Sequence, residues 1–209
     1  MSRMLAPGKL VIASHNAGKL REMRPLLEPY AMDCISASDL GLPEPAETGT
    51  TFIENALIKA HAAASASGIP AIADDSGLCV VALGGAPGVY TADWAEAATY
   101  EGGPGRDWYM AMGKVEGKLA ELGPDTPRDC WFTSVLAIAW PDGTSITFEG
   151  RAYGSLTWPP RGKLGFGYDP VFVPTGDTRT FAELDPAEKQ RISHRADAFS
   201  KLVAGALTD

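Results

Sequence analysis

Short apolar runs alternate with amphipathic stretches along this chain, and the alternation predicts an α/β protein. Lys9-Leu-Val-Ile-Ala-Ser14 reads as a buried strand and His15-Asn-Ala-Gly18 as a turn. From Lys19 onward Leu20, Met23, Leu26 and Leu27 recur at helical spacing as far as Pro29. Met32 to Ala37 reads as a second strand, and Gly41 to Gly49 as a loop carrying Glu44 and Glu47. Thr51 and Glu54 form a capping-box pair for a helix running to about Ser67 and closed by Gly68 and Pro70. Phe52, Ala56, Leu57, Ala60 and Ala64 give that helix its apolar face, while Asn55 and Lys59 share another. From Pro70 to Leu83 two apolar runs flank Asp74-Asp-Ser-Gly77, a pattern that predicts strand, tight turn and strand.

The second half of the chain carries the same signals. Gly84-Gly-Ala-Pro-Gly88 is a rigid bend, and Gly102-Gly-Pro-Gly105 precedes a weakly amphipathic helix from about Asp107 to Leu122. Cys130–Trp140 and Ser145–Tyr153 read as a hairpin turning at Pro141-Asp142-Gly143. A Gly-rich loop, Pro159 to Pro170, leads into a strand over Val171–Val173. Asp185-Pro-Ala-Glu188 starts another helix, and Ser193 stands before a last one with Phe199, Leu202, Val203 and Ala206 on its core face. No repeat, low-complexity tract or long linker interrupts the pattern, so residues 1–209 are expected to form one domain.

Composition narrows the function classes. The chain is 45% hydrophobic and 21% charged, and its net charge is -8 without any Lys/Arg run, which argues against polymeric nucleic acid as a partner. No apolar run is long enough for a membrane helix, and Met1–Leu10 lacks a secretory stretch. Cys34, Cys79 and Cys130 are far apart with no CxxC, as expected of reduced thiols in a cytoplasmic protein.

The candidate chemistry is spread over several segments. Adjacent Asp74 and Asp75 repel unless water, a donor or a cation separates them, so an ordinary turn and a divalent-metal site both stand open. Strand, Gly turn and helix start at Ser14–Lys19 suit a phosphate, although Ala13 and Leu20 exclude a Walker A loop; capping with a solvated lysine is the plainer reading. Phe166 or Tyr168 can stack on a planar ring. Lys189, Arg191, His194 and Arg195 form either a solvated basic face or a cationic pocket. Acids for a cation, bases for phosphate oxygens and an aromatic for a ring together point to a Mg²⁺-dependent enzyme acting on a nucleoside phosphate.

Six segments, in order and spread over nearly the whole chain, resemble the inosine triphosphate pyrophosphatase family. They are Ser14–Lys19, Glu47–Ala56, Ala73–Leu78, Gly84–Gly88, Gly165–Pro170 and Glu188–Lys189 through Ser193–Arg195. The resemblance implies an elongated, two-lobed α/β domain around a long mixed sheet flanked by helices, with a nucleotide cleft between the lobes, usually in a homodimer. It implies Mg²⁺-dependent hydrolysis of ITP, dITP and XTP to the monophosphate and pyrophosphate. Ser14, His15, Asn16, Ala17, Gly18 and Lys19 are then implied to hold phosphate, Lys59 to face the triphosphate, and Glu47 and Asp75 to serve the metal. Asp75 is the implied general base and Ser76 a nucleotide contact. Phe166 is implied to stack on the purine beside Gly167, Tyr168 and Asp169, with Lys189, His194 and Arg195 also at the nucleotide. Thr91-Ala-Asp93 departs from the Ser-Ala-Arg that family members often carry, and the stretch Trp94–Arg106 has no close match. A pyrimidine-preferring relative and a non-catalytic nucleotide-binding regulator are the competing functions.

Overall fold

The computed structural model describes residues 3–96 and 105–207. Its regular elements are β1 (Gly8–Ile12), α1 (Ala17–Leu27), β2 (Met32–Ser36), α2 (Phe52–Ser67), β3 (Ala71–Val80), α3 (Trp108–Leu122), β4 (Asp129–Ala139), β5 (Ser145–Leu156), β6 (Phe172–Pro174), α4 (Pro186–Ile192) and α5 (His194–Ala206). The strands form a sheet in the hydrogen-bonded order β2-β1-β3-β4-β5-β6. β1 runs parallel to β2 and β3, whereas β6 is antiparallel to β5, so the sheet is mixed as expected.

One expectation fails at the centre of the chain. Asp74-Asp-Ser-Gly77 is not a turn: Ala71–Val80 is a single strand, and the chain bends only afterwards, at Val81–Leu83. Asp, Ser and Gly mark turns when local preference decides, but here burial decides. Ala71, Ile72, Ala73, Leu78 and Val80 are all fully buried, and the acids between them are charge-paired in place.

The chain divides into two compact units. The first comprises residues 1–75, 134–150 and 194–209. Alternation along its strands sorts side chains onto two faces. Leu10, Ile12, Ile72, Leu136 and Ile138 pack with Met23 and Leu27 of α1 and with Phe199 and Leu202 of α5. Val11, Ala71, Ala73, Val135 and Ala137 pack with Ala56, Ala60, Ala63 and Ala64 of α2. That second layer is built largely of alanine, and small side chains bring the α2 backbone close to the sheet.

The second unit comprises residues 76–133 and 151–193. Leu78, Val80, Phe132, Leu156 and Phe172 pack there with Met112, Val115 and Leu119 of α3. Phe172 lies 4.7 Å, between ring centroids, from both Phe132 and Phe181. Residues 97–104, including most of the glycine run before α3 and of the stretch that departs from the family pattern, lie outside the described residues.

Helix boundaries follow their capping chemistry. Asn16 caps α1 two residues earlier than the apolar spacing alone marks, and Pro25 is accommodated inside that helix. α2 has the predicted box: Glu54 N donates to Thr51 Oγ1 (3.2 Å), and Glu54 Oε2 accepts from the N–H groups of Thr50 (2.7 Å) and Thr51 (3.0 Å). Gly68 ends it at φ +69°, a left-handed conformation that suits glycine. Asp185 and Glu188 form a second box on α4.

Two tests follow from these contacts. A Cβ at Gly150 on β5 would lie 2.1 Å from Ala198 N and 2.3 Å from His194 O, both backbone atoms of α5. Gly150→Ala is therefore expected to cost about 1–3 kcal/mol in urea unfolding, because the helix must shift to admit the methyl. The Thr50 backbone N–H and hydroxyl, with Thr51, hold the exposed Glu54 carboxyl below its ordinary value. A depressed folded value means that this stabilisation is complete above the unfolded value, about 4.3, and is lost as pH falls through the folded value. Glu54→Gln is expected to flatten the acid limb of a stability–pH curve between about pH 5 and pH 3.

Candidate active site

Residues 74 and 75 are neighbours on β3, so their side chains point to opposite faces of the sheet. Asp74 faces the α1 and α5 layer. Its Oδ2 accepts from Lys19 Nζ (2.9 Å) and Arg195 Nη2 (3.0 Å), and its Oδ1 from Ser134 Oγ (2.5 Å). Asp75 faces the α2 layer, where Lys59 Nζ donates to Asp75 Oδ1 (2.8 Å) and to Glu47 Oε1 (3.0 Å). Arg195 also pairs with Glu22. The sheet thus separates two like charges that adjoin in sequence and gives each its own cation.

The two acids differ in electrostatics as well as in direction. Burial alone would raise Asp74, but Arg195 and Lys19, with the Ser134 hydroxyl, hold its carboxyl well below the usual range. Burial dominates at Asp75, whose carboxyl sits above its ordinary value although Lys59 and Lys19 pull it down. Burial would lower Lys59, yet Asp75 and Glu47 keep its ammonium more basic than usual. Asp74 is a fixed anion, while Asp75 is the more basic carboxylate of the pair.

Local structure positions each partner. Asn16 Oδ1 accepts from Gly18 N (2.8 Å) and Lys19 N (3.2 Å), starting the helix that carries Lys19. Two of the amides offered to phosphate on sequence grounds are therefore taken by the cap. Asn16 N donates to the buried Ser14 Oγ (3.1 Å), and Ala17 opens α1 at the surface. His15 Nε2 donates to Leu42 O (3.0 Å), tying this loop to the segment that leads to Glu47. Glu47 is anchored from the other side, where buried Asn55 accepts from Gly49 N (2.8 Å). A cavity of about 100 Å³ opens beside Lys59 and His15, lined also by Ala13, Leu42, Glu44 and Ala63.

A hard divalent cation fits this donor set. Glu47 and Asp75 offer carboxylate oxygens to one ammonium, and Asp75 Oδ2 is buried with no hydrogen-bond partner among the described residues. Among the described residues no group of three or more His, Cys, Asp or Glu side chains gathers as a metal cage. Mg²⁺ needs none, because it is usually held by one or two carboxylates together with substrate phosphates and water.

The second unit has a Gly-aromatic loop of its own. Gly165 and Gly167 adopt φ of +74° and +66°, and a Cβ at Gly165 would lie 2.0 Å from Asp169 Oδ2. That close approach lets Asp169 Oδ2 accept from both Phe166 N (2.8 Å) and Lys189 Nζ (2.7 Å). The Lys189 ammonium lies 4.8 Å from the centroid of the half-buried Phe166 ring. Tyr168 is buried edge-on to Trp108, and burial pushes its phenol up. Ser76 is half-buried on β3.

The candidates near residue 190 therefore separate. Lys189, His194 and Arg195 are buried, at 5%, 5% and 1% exposure, and only Arg191 among the four lies on the solvated face. The sequence offers Asp74 only as one acid of a turn or a divalent-metal pair, and it does not point to Ser134 or Glu22. The Asp-Asp pair was a visible signal for Asp74; Ser134 and Glu22 carry none. Ser134→Ala is expected to cost about 1–3 kcal/mol in urea unfolding, and Asp74→Ala about 3–5 kcal/mol, because the latter takes the carboxylate from Lys19 and leaves buried Arg195 to Glu22.

Comparison with known proteins agrees with this architecture. Residues 10–205 match the model of the Ham1 family. A Brucella melitensis protein named dITP/XTP pyrophosphatase is 55% identical over 98% of this chain and 96% of its own length. A Ruegeria pomeroyi protein of the same name is 53% identical over 98% of each. The structure of a HAM1 protein from Coxiella burnetii superposes with a TM-score of 0.82 at 39% identity, covering 94% of this chain and 96% of that one. The chain belongs to the Ham1 family.

Proposed function

We propose that this protein is a Mg²⁺-dependent nucleoside triphosphate pyrophosphatase that hydrolyses dITP, ITP and XTP to the monophosphate and pyrophosphate, clearing deaminated purines from the nucleotide pool. The observation that carries the reading is the buried, comparatively basic Asp75, with one oxygen on Lys59 and the other without a hydrogen-bond partner among the described residues. Near-full-length identity above 50% to proteins named dITP/XTP pyrophosphatase supports the substrate class. A homodimer in the cytoplasm completes the reading.

The chemistry is hydrolysis of one phosphoanhydride bond. Water attacks the α-phosphorus, the bond from that phosphorus to the bridging oxygen breaks, and pyrophosphate leaves. Asp75 takes the proton of the attacking water, a role suited to a carboxylate more basic than usual. Glu47 and Asp75 would hold Mg²⁺, which when bound neutralises phosphate charge and orients the chain of phosphates for in-line displacement. Lys19 and Lys59 offer ammonium groups to phosphate oxygens, beside Ser14, His15, Asn16, Ala17 and Gly18. Ser76 serves as a nucleotide contact.

Phe166 supplies a face for the purine, backed by Lys189 and held by Gly167, Tyr168 and Asp169. His194 and Arg195 serve the 6-keto edge. Donors aimed at a 6-oxo group accept hypoxanthine and xanthine but are left unpaired by adenine's 6-amino group.

Pyrophosphate release from ITP, XTP, GTP, ATP and CTP, with and without Mg²⁺, tests the reading. Turnover is expected to be confined largely to ITP and XTP and to require Mg²⁺. Asp75→Asn is expected to lower kcat by about 10²-fold or more, as loss of a general base does. Equal turnover of ATP or CTP would overturn the 6-keto preference, and binding of ITP without turnover would make the protein a regulator.

A further inference from the structure

Lys59 occupies an unusual position for a residue expected to face a triphosphate. It is 7% exposed, and its ammonium spans the two carboxylates offered to the metal, 2.8 Å from Asp75 and 3.0 Å from Glu47. We propose that Lys59 is an internal counter-ion guarding those carboxylates, so that the nucleotide-free enzyme rejects a bare divalent cation and accepts one only when a triphosphate draws the ammonium away. The inference rests on the reading of Glu47 and Asp75 as metal-holding residues.

The charges carry it. Among the described residues Lys59 pairs with Glu47 and Asp75, while Lys19 and Arg195 pair with Asp74 and Arg195 also with Glu22. Without Lys59, Asp75 and Glu47 would share one place with no cation between them, a strong site for a hard dication. With Lys59 in place, an entering dication must displace the ammonium and leave it buried beside a second positive charge. A triphosphate changes that balance, because its oxygens give the ammonium a new anionic partner. Lysine suits the role: it is a compact charge on a flexible stem, and burial on α2 holds that stem beside β3. Metal and triphosphate then favour each other's binding, and the coupling is reciprocal by linkage.

Lys59 is thus a specificity-determining residue for the form in which metal arrives. The coupling spares the enzyme an ion bound where no substrate is present, and it ties the neutralising charge to the molecule that needs it.

The test is Mn²⁺ binding in the absence of any nucleotide, followed by the loss of the free-ion electron paramagnetic resonance signal. It compares wild type, Lys59→Met and Lys59→Gln. Both variants are expected to bind one Mn²⁺ at least about tenfold more tightly than wild type, the scale expected when a buried ion pair no longer competes. Adding Asp75→Asn to Lys59→Met is expected to abolish the gain. Equal Mn²⁺ affinity in wild type and a folded variant, whether tight or absent, overturns the proposal. Tight nucleotide-free binding to wild type does so without any variant. The readout contains no nucleotide, so the two readings fail separately. ITP hydrolysis with no gain of Mn²⁺ binding sinks only this one, and the gain without hydrolysis of any triphosphate sinks only the enzyme assignment.

Discussion

Two adjacent carboxylates within a buried strand are the constraint on which this structure turns. Each is costly alone, and together they are intolerable unless cations reach both. The fold answers by alternation. Asp74 and Asp75 point to opposite faces of β3, and each face is covered by a helix that brings a lysine. Lys19 comes from the first turn of α1, Arg195 from the first turn of α5, and Lys59 from the middle of α2. Remove one face and one acid loses its partner.

This division also sorts the acids by role. Asp74 is buried, accepts from a lysine, an arginine and a serine, and is held fully ionised. Such a group orders its neighbours and has little proton affinity left for chemistry. Among the described residues Asp75 accepts from one ammonium, that of Lys59, and its charge is less well compensated. The stable anion organises the site, and the less stable one is fit to work.

The alanine layer between β3 and α2 sets the distance over which Lys59 acts. Ala56, Ala60, Ala63 and Ala64 meet Ala71, Ala73 and Ala137, and larger side chains there would lift the helix from the sheet. Packing and electrostatics are thus one design: the small residues bring the ammonium to the carboxylates, and the ion pair fixes the helix in turn. The glycines of Gly165–Gly167 play a comparable part in the second unit, where they let Asp169 bind both the loop and Lys189.

Much of this was legible in the sequence. The α2 capping box, the hairpin at Pro141–Gly143, the helix starting after Asp185 and the mixed α/β class follow from local preference and periodicity, and the structure has them. Six ordered motifs also carried the family. Local chemistry was misleading at Asp74–Gly77, where turn-forming residues lie in the most buried strand, because burial and cation partners outweigh their preference. It was silent on Ser134 and Glu22, which meet their partners only through pairings 60 and 173 residues apart. The sequence by itself determined which residues were available for phosphate, metal and ring chemistry, since those depend on residue type and near-neighbour spacing. Only the tertiary structure decided which acid faces which cation, because that depends on the face of β3 each side chain takes and on the helix packed against it.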